Sequence, residues 1–394
     1  MPKALIYIVG QSIMHNPDFI MSTERKQIIK NCKRVVIKVG TRLLTDEHRI
    51  PILIAGIAEF RKKGCQVILV SSGAVGIGMK ELGLKKRPSK LAQIQALAAI
   101  GQNKLMSIYD DQCRKYNFKS AQLLLTTADL HSRERHLNVL NCINSLLDNE
   151  ILPIVNENDS VSVDELKFGD NDGLAALLAT MTNSDLTVIL TTESGLREKN
   201  DGVLGDRISL VKTITSKMKK SAEGTDNAEF SIGGMASKLN AAKIVTLSGE
   251  HLWIADGRED DTIDRILQGE DVGTLFVPRE DKMQARERWL QFFAKSTGHL
   301  IVDDGAAKAI CHKGSSLLPA GVRGIGGKFK RGDTVEIMDS KGNTIAKGLS
   351  NFDSVDAAAI AGMQSNEICG ILHRDSDDVI VHRNNLTLIK ADTH

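Results

Sequence analysis

From Arg34 onward the chain alternates short, fully apolar runs with longer stretches in which apolar residues recur every three or four positions. Val35–Val39 (VVIKV), Val67–Val70 (VILV), Gln122–Leu125, Ile151–Val155 (ILPIV) and Leu186–Leu190 (LTVIL) are expected strands. Consecutive apolar residues in a strand mean that both of its faces are covered, as in a parallel sheet. Helices are expected over Ile52–Lys63, Leu91–Tyr116, Arg133–Asn149 and Gly173–Thr182, and in the third Leu140, Ile143 and Leu147 share one face. The series continues through Ala236–Leu247, His251–Ala255 and Thr262–Leu267 to Gly273–Phe276. Such alternation predicts an α/β domain with a mostly parallel sheet flanked by helices.

After Pro278 the pattern changes. Arg279–Phe293 is charged and expected to be a connecting helix. Short strands follow at His299–Val302, Thr334–Met338, Thr344–Leu349 and Val379–His382, with a hairpin turn at Asp339–Asn343 and a helix near Ser354–Ala361. The expected organisation is therefore an N-terminal extension (1–33), an α/β domain (34–278), a connecting segment (279–295) and a small, mainly β domain (296–394). Met21 opens the sequence MSTERKQ, which reads as an ordinary start, so residues 1–20 need not belong to the native chain.

Composition narrows the partners. Of 394 residues 42% are hydrophobic and 25% charged, an ordinary globular balance, and the net charge of +2 gives no global field for nucleic acid or membrane. The six cysteines form no CxxC pair, which suits thiols in a reducing compartment. Ala4–Val9 is a short apolar run without a cleavage site, and no apolar run reaches the roughly 18 residues of a membrane helix. A cytoplasmic protein is expected.

Four clusters carry candidate chemistry, each where a strand gives way to a turn or helix, which is where open α/β sheets bind ligands. In Ile37-Lys38-Val39-Gly40-Thr41 a lysine interrupts an apolar strand and needs either a phosphate or solvent at its tip. Ser71-Ser72-Gly73-Ala74-Val75-Gly76-Ile77-Gly78 can bring backbone N–H groups close to an anion, or be a plain glycine turn; it is neither a Walker loop nor GxGxxG. Asn156-Glu157-Asn158-Asp159-Ser160 and Phe168-Gly169-Asp170-Asn171-Asp172-Gly173 gather amides and carboxylates that suit a ligand bearing both ammonium and carboxylate, although Asp172 alone reads as a helix cap. Ile232-Gly233-Gly234-Met235-Ala236-Ser237-Lys238 opens a helix whose free N–H groups, with Lys238 on the first turn, suit phosphate oxygens.

Taken in order, VVIKVGTRLL, VSSGAVGIG, LLLTTADL, RERHLN, PIVNENDSV, FGDNDGLAALLA, GGMASK, DVGTLF and GSSLLPAGV resemble the amino acid kinase family, in its glutamate-phosphorylating branch with a C-terminal PUA domain. The resemblance spans Arg34 to Ile389 and implies a three-layer sandwich followed by a PUA-like domain. It implies transfer of the γ-phosphoryl of ATP to the side-chain carboxylate of L-glutamate, the first step toward proline, with Mg²⁺ carried on the nucleotide and no metal held by the protein. Lys38 and Lys238 would be catalytic and touch phosphates, with Asp170 holding the two ammonium groups in place. Ser72, Asp159 and Asn171 would bind glutamate; Thr191, Thr192, Ile232, Gly233, Gly234, Met235, Ala236 and Ser237 would line the nucleotide side. Thr192 and Ile232 depart from the family's usual residues. Proline as a feedback inhibitor, a homo-oligomer and coupling to a glutamyl phosphate reductase are also implied.

Two other readings compete. One is an amino acid kinase acting on aspartate, N-acetylglutamate, carbamate or UMP, against which the PUA-like tail and NENDSV argue. The other is an RNA-binding PUA-type protein. Residues 296–394 carry 11 Lys and Arg against 12 Asp and Glu, and only Arg323, Lys328, Lys330 and Arg331 cluster, which favours a solvated loop over the clearly basic surface expected for RNA.

Overall fold

The computed structural model describes residues 17–44, 46, 48–162, 171–200, 203–222, 234–278, 283–364, 367–372 and 379–389. The chain divides into two compact units, Met1–Leu130 with Glu134–Lys282, and His131–Arg133 with Met283–His394.

The first unit is built on strands β1 (Arg34–Val39), β2 (Gln66–Ser71), β3 (Ser120–Leu125), β4 (Leu152–Glu157), β5 (Leu186–Thr191), β6 (Arg197–Asn200), β7 (Val203–Arg207), β8 (Leu210–Val211), β9 (His251–Asp256) and β10 (Thr274–Phe276). Eight of these form one sheet in the order β3-β4-β2-β1-β5-β9-β10-β8, while β6 and β7 pair separately. The six strands from β3 to β9 are mutually parallel; β10 runs antiparallel to β9. The mostly parallel sheet expected from the apolar runs is thus present.

Helices cover both faces. On one side α2 (Arg49–Lys62), α4 (Leu91–Lys115) and α8 (Thr262–Leu267) bury Leu53, Ile57, Leu105, Tyr109 and Ile266 against Val35, Ile37, Val39, Val67 and Leu69 of β1 and β2. Side chains alternate across a strand, so Val36 and Lys38 point to the opposite face. There α6 (Asn171–Thr182) and α7 (Met235–Leu247) pack against each other, and α6 packs on β1, β2 and β5. Each fully buried Leu or Ile contributes roughly 1.5–3 kcal/mol, enough to fix which face is which. Two further helices, α3 (Ala74–Glu81) and α5 (Arg133–Asp148), complete the series used below.

Residues 17–31, read from the sequence as extension, form helix α1 within the first unit. Arg25 anchors it: the buried guanidinium lies 5.6 Å from the Trp253 ring centroid, pairs with Asp271 at 2.9 Å and donates to Ser209 O and Oγ at 2.8 Å.

The second unit is a five-stranded sheet in the order β12-β11-β13-β14-β15, from β11 (Gly298–Val302), β12 (Val322–Gly327), β13 (Thr334–Met338), β14 (Thr344–Leu349) and β15 (Leu386–Leu388). Its core gathers Leu300, Val302, Ile310, Val335, Ile337, Phe352 and Ile380. Helices α9 (Asp304–Lys313) and α10 (Ser354–Ile360) begin under Asp303 and Asp353, whose side chains accept from the first free N–H groups. The stretch Val379–His382 is not the strand expected. Its apolar residues are core, but its backbone bonds to the loop at Leu317 and to Asn351, leaving one bridge, Leu317 to Val381. Strand β12 (VRGIGG) is half glycine, which hid it in the sequence. In the connecting segment, Ala285–Arg288 is α-helical and Trp289–Phe293 continues as one π turn.

Candidate active site

Parallel register brings Val39, Ser71, Glu157, Thr191 and Asp256, the last residues of five strands, to one edge of the sheet. Two lysines meet there. Lys38, on central strand β1, is 7% exposed, and Lys238, on the first turn of α7, is 5% exposed. Between them lies Asp172, fully buried on the first turn of α6. Lys38 Nζ is 2.5 Å from Asp172 Oδ1, and Lys238 Nζ is 3.0 Å from Oδ2. Burial pushes the Asp172 carboxyl up, but the two ammonium groups outweigh it and hold the group below the ordinary carboxylate range.

The two ammonium groups and the carboxylate sit in a dry setting, where Coulomb interactions are strongest. Ammonium groups at the strand ends suit an anionic group arriving there. Holding two ammonium groups is the role the resemblance gave to Asp170; among the described residues Asp172 pairs with both, and it stands inside the helix rather than capping it. Asp170 itself lies outside the described residues, as do Ile232 and Gly233.

Beside the lysines is a chain of amides. Asn171, first residue of α6, presents Nδ2 to three acceptors: Ser72 Oγ at 2.7 Å, Ser71 O at 2.8 Å and Asn156 Oδ1 at 2.9 Å. Two hydrogens serve three acceptors, so the Ser72 hydroxyl can turn to a ligand without stranding the amide. Asn156 Oδ1 also accepts from the Glu157 N–H at 2.8 Å, and Asn156 Nδ2 donates to Gln102 Oε1 at 2.9 Å. Ser72 stands just before Gly73, whose φ of 95° turns the chain from β2 into α3. Asp159 lies in the turn that follows β4 at the same edge.

The remaining expected residues lie toward β5 and β9. Thr191 ends β5 opposite Asp256, and Gly257 donates its N–H to Thr191 O at 2.8 Å. A Cβ on Gly257 would come within 2.4 Å of Leu43 Cδ1, so the backbone there passes with no room to spare. Thr192 follows, half-buried. Gly234, extended, precedes Met235, Ala236 and Ser237, which open α7 and lead to Lys238. Two residues of the network, Asp172 and Gln102, were missed by sequence reasoning as site members. Asp172 was hidden by an adequate explanation as a cap. The signal for Gln102 was a polar residue beside Gly101 at the end of a mostly apolar, Ala-rich stretch, QALAAIGQ.

Residues 33–256 match the model of the amino acid kinase family, and residues 298–372 match that of the PUA domain. A glutamate 5-kinase from Desulfotalea psychrophila is 42% identical over 93% of this chain and 99% of its own length. One from Marinomonas sp. is 40% identical over 93% of this chain and its entire length. Among solved structures, a carbamate kinase from Giardia lamblia bound to AMP-PNP is 20% identical, covering 64% of this chain and 100% of its own, with a TM-score of 0.46. Identity at this level over nearly the full length of both chains is decisive: the chain belongs to the amino acid kinase family and, within it, to the glutamate 5-kinases.

Proposed function

We propose that this protein transfers the γ-phosphoryl group of ATP to the side-chain carboxylate of L-glutamate, giving L-glutamyl 5-phosphate, and that the Lys38–Asp172–Lys238 cluster is where the phosphoryl group passes. The observation that carries the reading is the pair of buried lysines on opposite oxygens of one carboxylate, at the strand ends and beside a serine–amide pocket.

The substrate supplies its own nucleophile. A carboxylate oxygen of glutamate attacks the γ-phosphorus, the bond to the β,γ-bridging oxygen breaks, and ADP leaves with that electron pair. The protein therefore has to align donor and acceptor and stabilise the equatorial oxygens of the phosphoryl group. Lys38 Nζ and Lys238 Nζ serve that charge, and Asp172 keeps both side chains aimed before substrate arrives. Ser72, Asn171 and Asp159 hold the amino acid: the Ser72 hydroxyl takes its α-carboxylate, and the Asp159 carboxylate and the Asn171 carbonyl take its ammonium. Thr191, Thr192 and the α7 N-terminus receive the nucleotide, whose phosphates bring Mg²⁺ with them as part of the substrate. Ile232 and Gly233 keep the nucleotide-side roles the family resemblance gives them, and Asp170 joins Asp172 in holding the two ammonium groups, as part of this proposal.

Proline shares the α-carboxylate and the ammonium of glutamate but has nothing to phosphorylate, so the same pocket accepts it as a dead-end ligand. The acyl phosphate product is reactive toward water, so a reductase must consume it promptly. A homo-oligomer in the cytoplasm is the setting this reading implies. No described helix is long and apolar enough to cross a membrane. The test is ATP consumption against a panel of glutamate, aspartate, N-acetylglutamate and carbamate, with hydroxylamine present to trap acyl phosphate. Hydroxamate formed with glutamate alone supports the reading; turnover with another acid and none with glutamate overturns it.

A further inference from the structure

We infer that Gln102, on helix α4, is a positioning residue for the amino acid pocket, acting through Asn156 to fix how Asn171 and Ser72 face the substrate. This rests on the reading that Asn171 and Ser72 bind the amino acid.

Hydrogen-bond logic carries the inference. Asn156 Oδ1 must be the oxygen, because it lies 2.8 Å from the Glu157 N–H and 2.9 Å from Asn171 Nδ2, both donors. Asn156 Nδ2 is then a donor in a place only 3% exposed, without ready access to water. Gln102 Oε1, at 2.9 Å, is the acceptor that holds it. Without that acceptor the Asn156 amide gains by rotating toward another, and Asn171 then loses one of the three acceptors that orient its own amide. The Asn171 carbonyl arm faces away from these acceptors, and its direction is set by the same chain of bonds.

The backbone keeps Gln102 in place. A Cβ on neighbouring Gly101 would sit 1.8 Å from Ala74 O, and one on Gly78 would sit 2.0 Å from Leu97 O. Helices α3 and α4 are therefore in backbone contact, and α3 starts immediately after Ser72-Gly73. The distance from Gln102 to the pocket is set by main chain rather than by adjustable side chains.

Stability does not explain this glutamine. Its Nε2 is buried and finds no partner among the described residues, a liability that an apolar residue of like size would remove. A structural role and a positioning role thus predict opposite results. The experiment is steady-state kinetics and melting of Gln102→Leu and, as a more nearly isosteric variant, Gln102→Met in the full chain. KM for glutamate should rise about tenfold, KM for ATP should stay within about twofold, and the melting temperature should not fall. In an Asn156→Ala background, Gln102→Leu should change KM for glutamate by less than about twofold, because the residue acts only through Asn156. An unchanged KM in the folded variants, equal rises in both KM values, or multiplying effects in the double variant would overturn the inference. The side-chain NH₂ resonances of Asn156 and Asn171, recorded without substrate, should shift in Gln102→Leu. Unshifted resonances overturn it whichever acid the enzyme uses, whereas absent glutamate turnover in the unmodified protein refutes the functional reading instead.

Discussion

Lys38 and Lys238 come from a central strand and from the first turn of a helix far along the chain, yet both end on the carboxylate of Asp172, at 2.5 Å and 3.0 Å. Bringing two ammonium groups this close is unfavourable unless an anion lies between them. Asp172 is that anion in the resting protein, and a transferring phosphoryl group is a second one during reaction.

If the lysines act on transferring charge, Lys38→Ala and Lys238→Ala should each lower kcat by about 10²–10³-fold or more while circular dichroism stays native. Steady-state rates on the purified variants check this, and near-normal turnover in either removes that lysine from the chemistry.

Asp172 should show a pH signature. Its carboxyl is held below the ordinary aspartate value of about 3.9 in the folded chain. A depressed folded pKa means that the carboxylate contributes stability above the unfolded value and loses it as pH falls through the folded one. Asp172→Asn takes the shared carboxylate away from two buried ammonium groups and should cost about 3–5 kcal/mol at pH 7. The difference in melting temperature between the two proteins should therefore shrink steadily as pH falls below about 4. A constant difference across that window would show that Asp172 is not a paired carboxylate.

Asn171→Ala and Asp159→Ala should separate substrate from nucleotide. Each removes a hydrogen bond to a charged group of the amino acid, and such bonds contribute about 1.5–3 kcal/mol, so KM for glutamate should rise about 10- to 100-fold. KM for ATP should barely change. The opposite pattern would move either residue to the nucleotide side.

Inhibition by proline, on the shared-pocket reading, should be relieved by excess glutamate and weakened by Asn171→Ala. Velocities at several fixed glutamate concentrations measure this. Inhibition that persists at saturating glutamate, or that disappears when the second unit is removed, would locate the inhibitor elsewhere.

How far the sequence carries the reader differs between scaffold and site. Strands β1, β2, β4, β5 and β9 were legible because buried parallel strands must be apolar on both faces, and Lys38 stood out for the same reason. Strand β12 and the bridge at Val381 were not, since glycine-rich pairing and loop-satisfied backbone leave no periodicity to read. In the site, glycine turns and amide clusters marked the right neighbourhood. Within FGDNDG, the helical phase that turns Asp172 inward to both lysines is not given by spacing alone. The local signal at Gln102, a polar residue beside a glycine, does not give its role, which comes from contact with Asn156, a residue remote in the chain.

The central claim is that a side-chain carboxylate oxygen of glutamate attacks phosphorus and is the phosphoryl acceptor. The most direct measurement uses glutamate carrying ¹⁸O in its side-chain carboxylate, with ATP and hydroxylamine. Hydroxylamine attacks the acyl carbon and releases phosphate, which should carry one ¹⁸O per turnover, as read by mass spectrometry. Phosphate released without label would contradict the account.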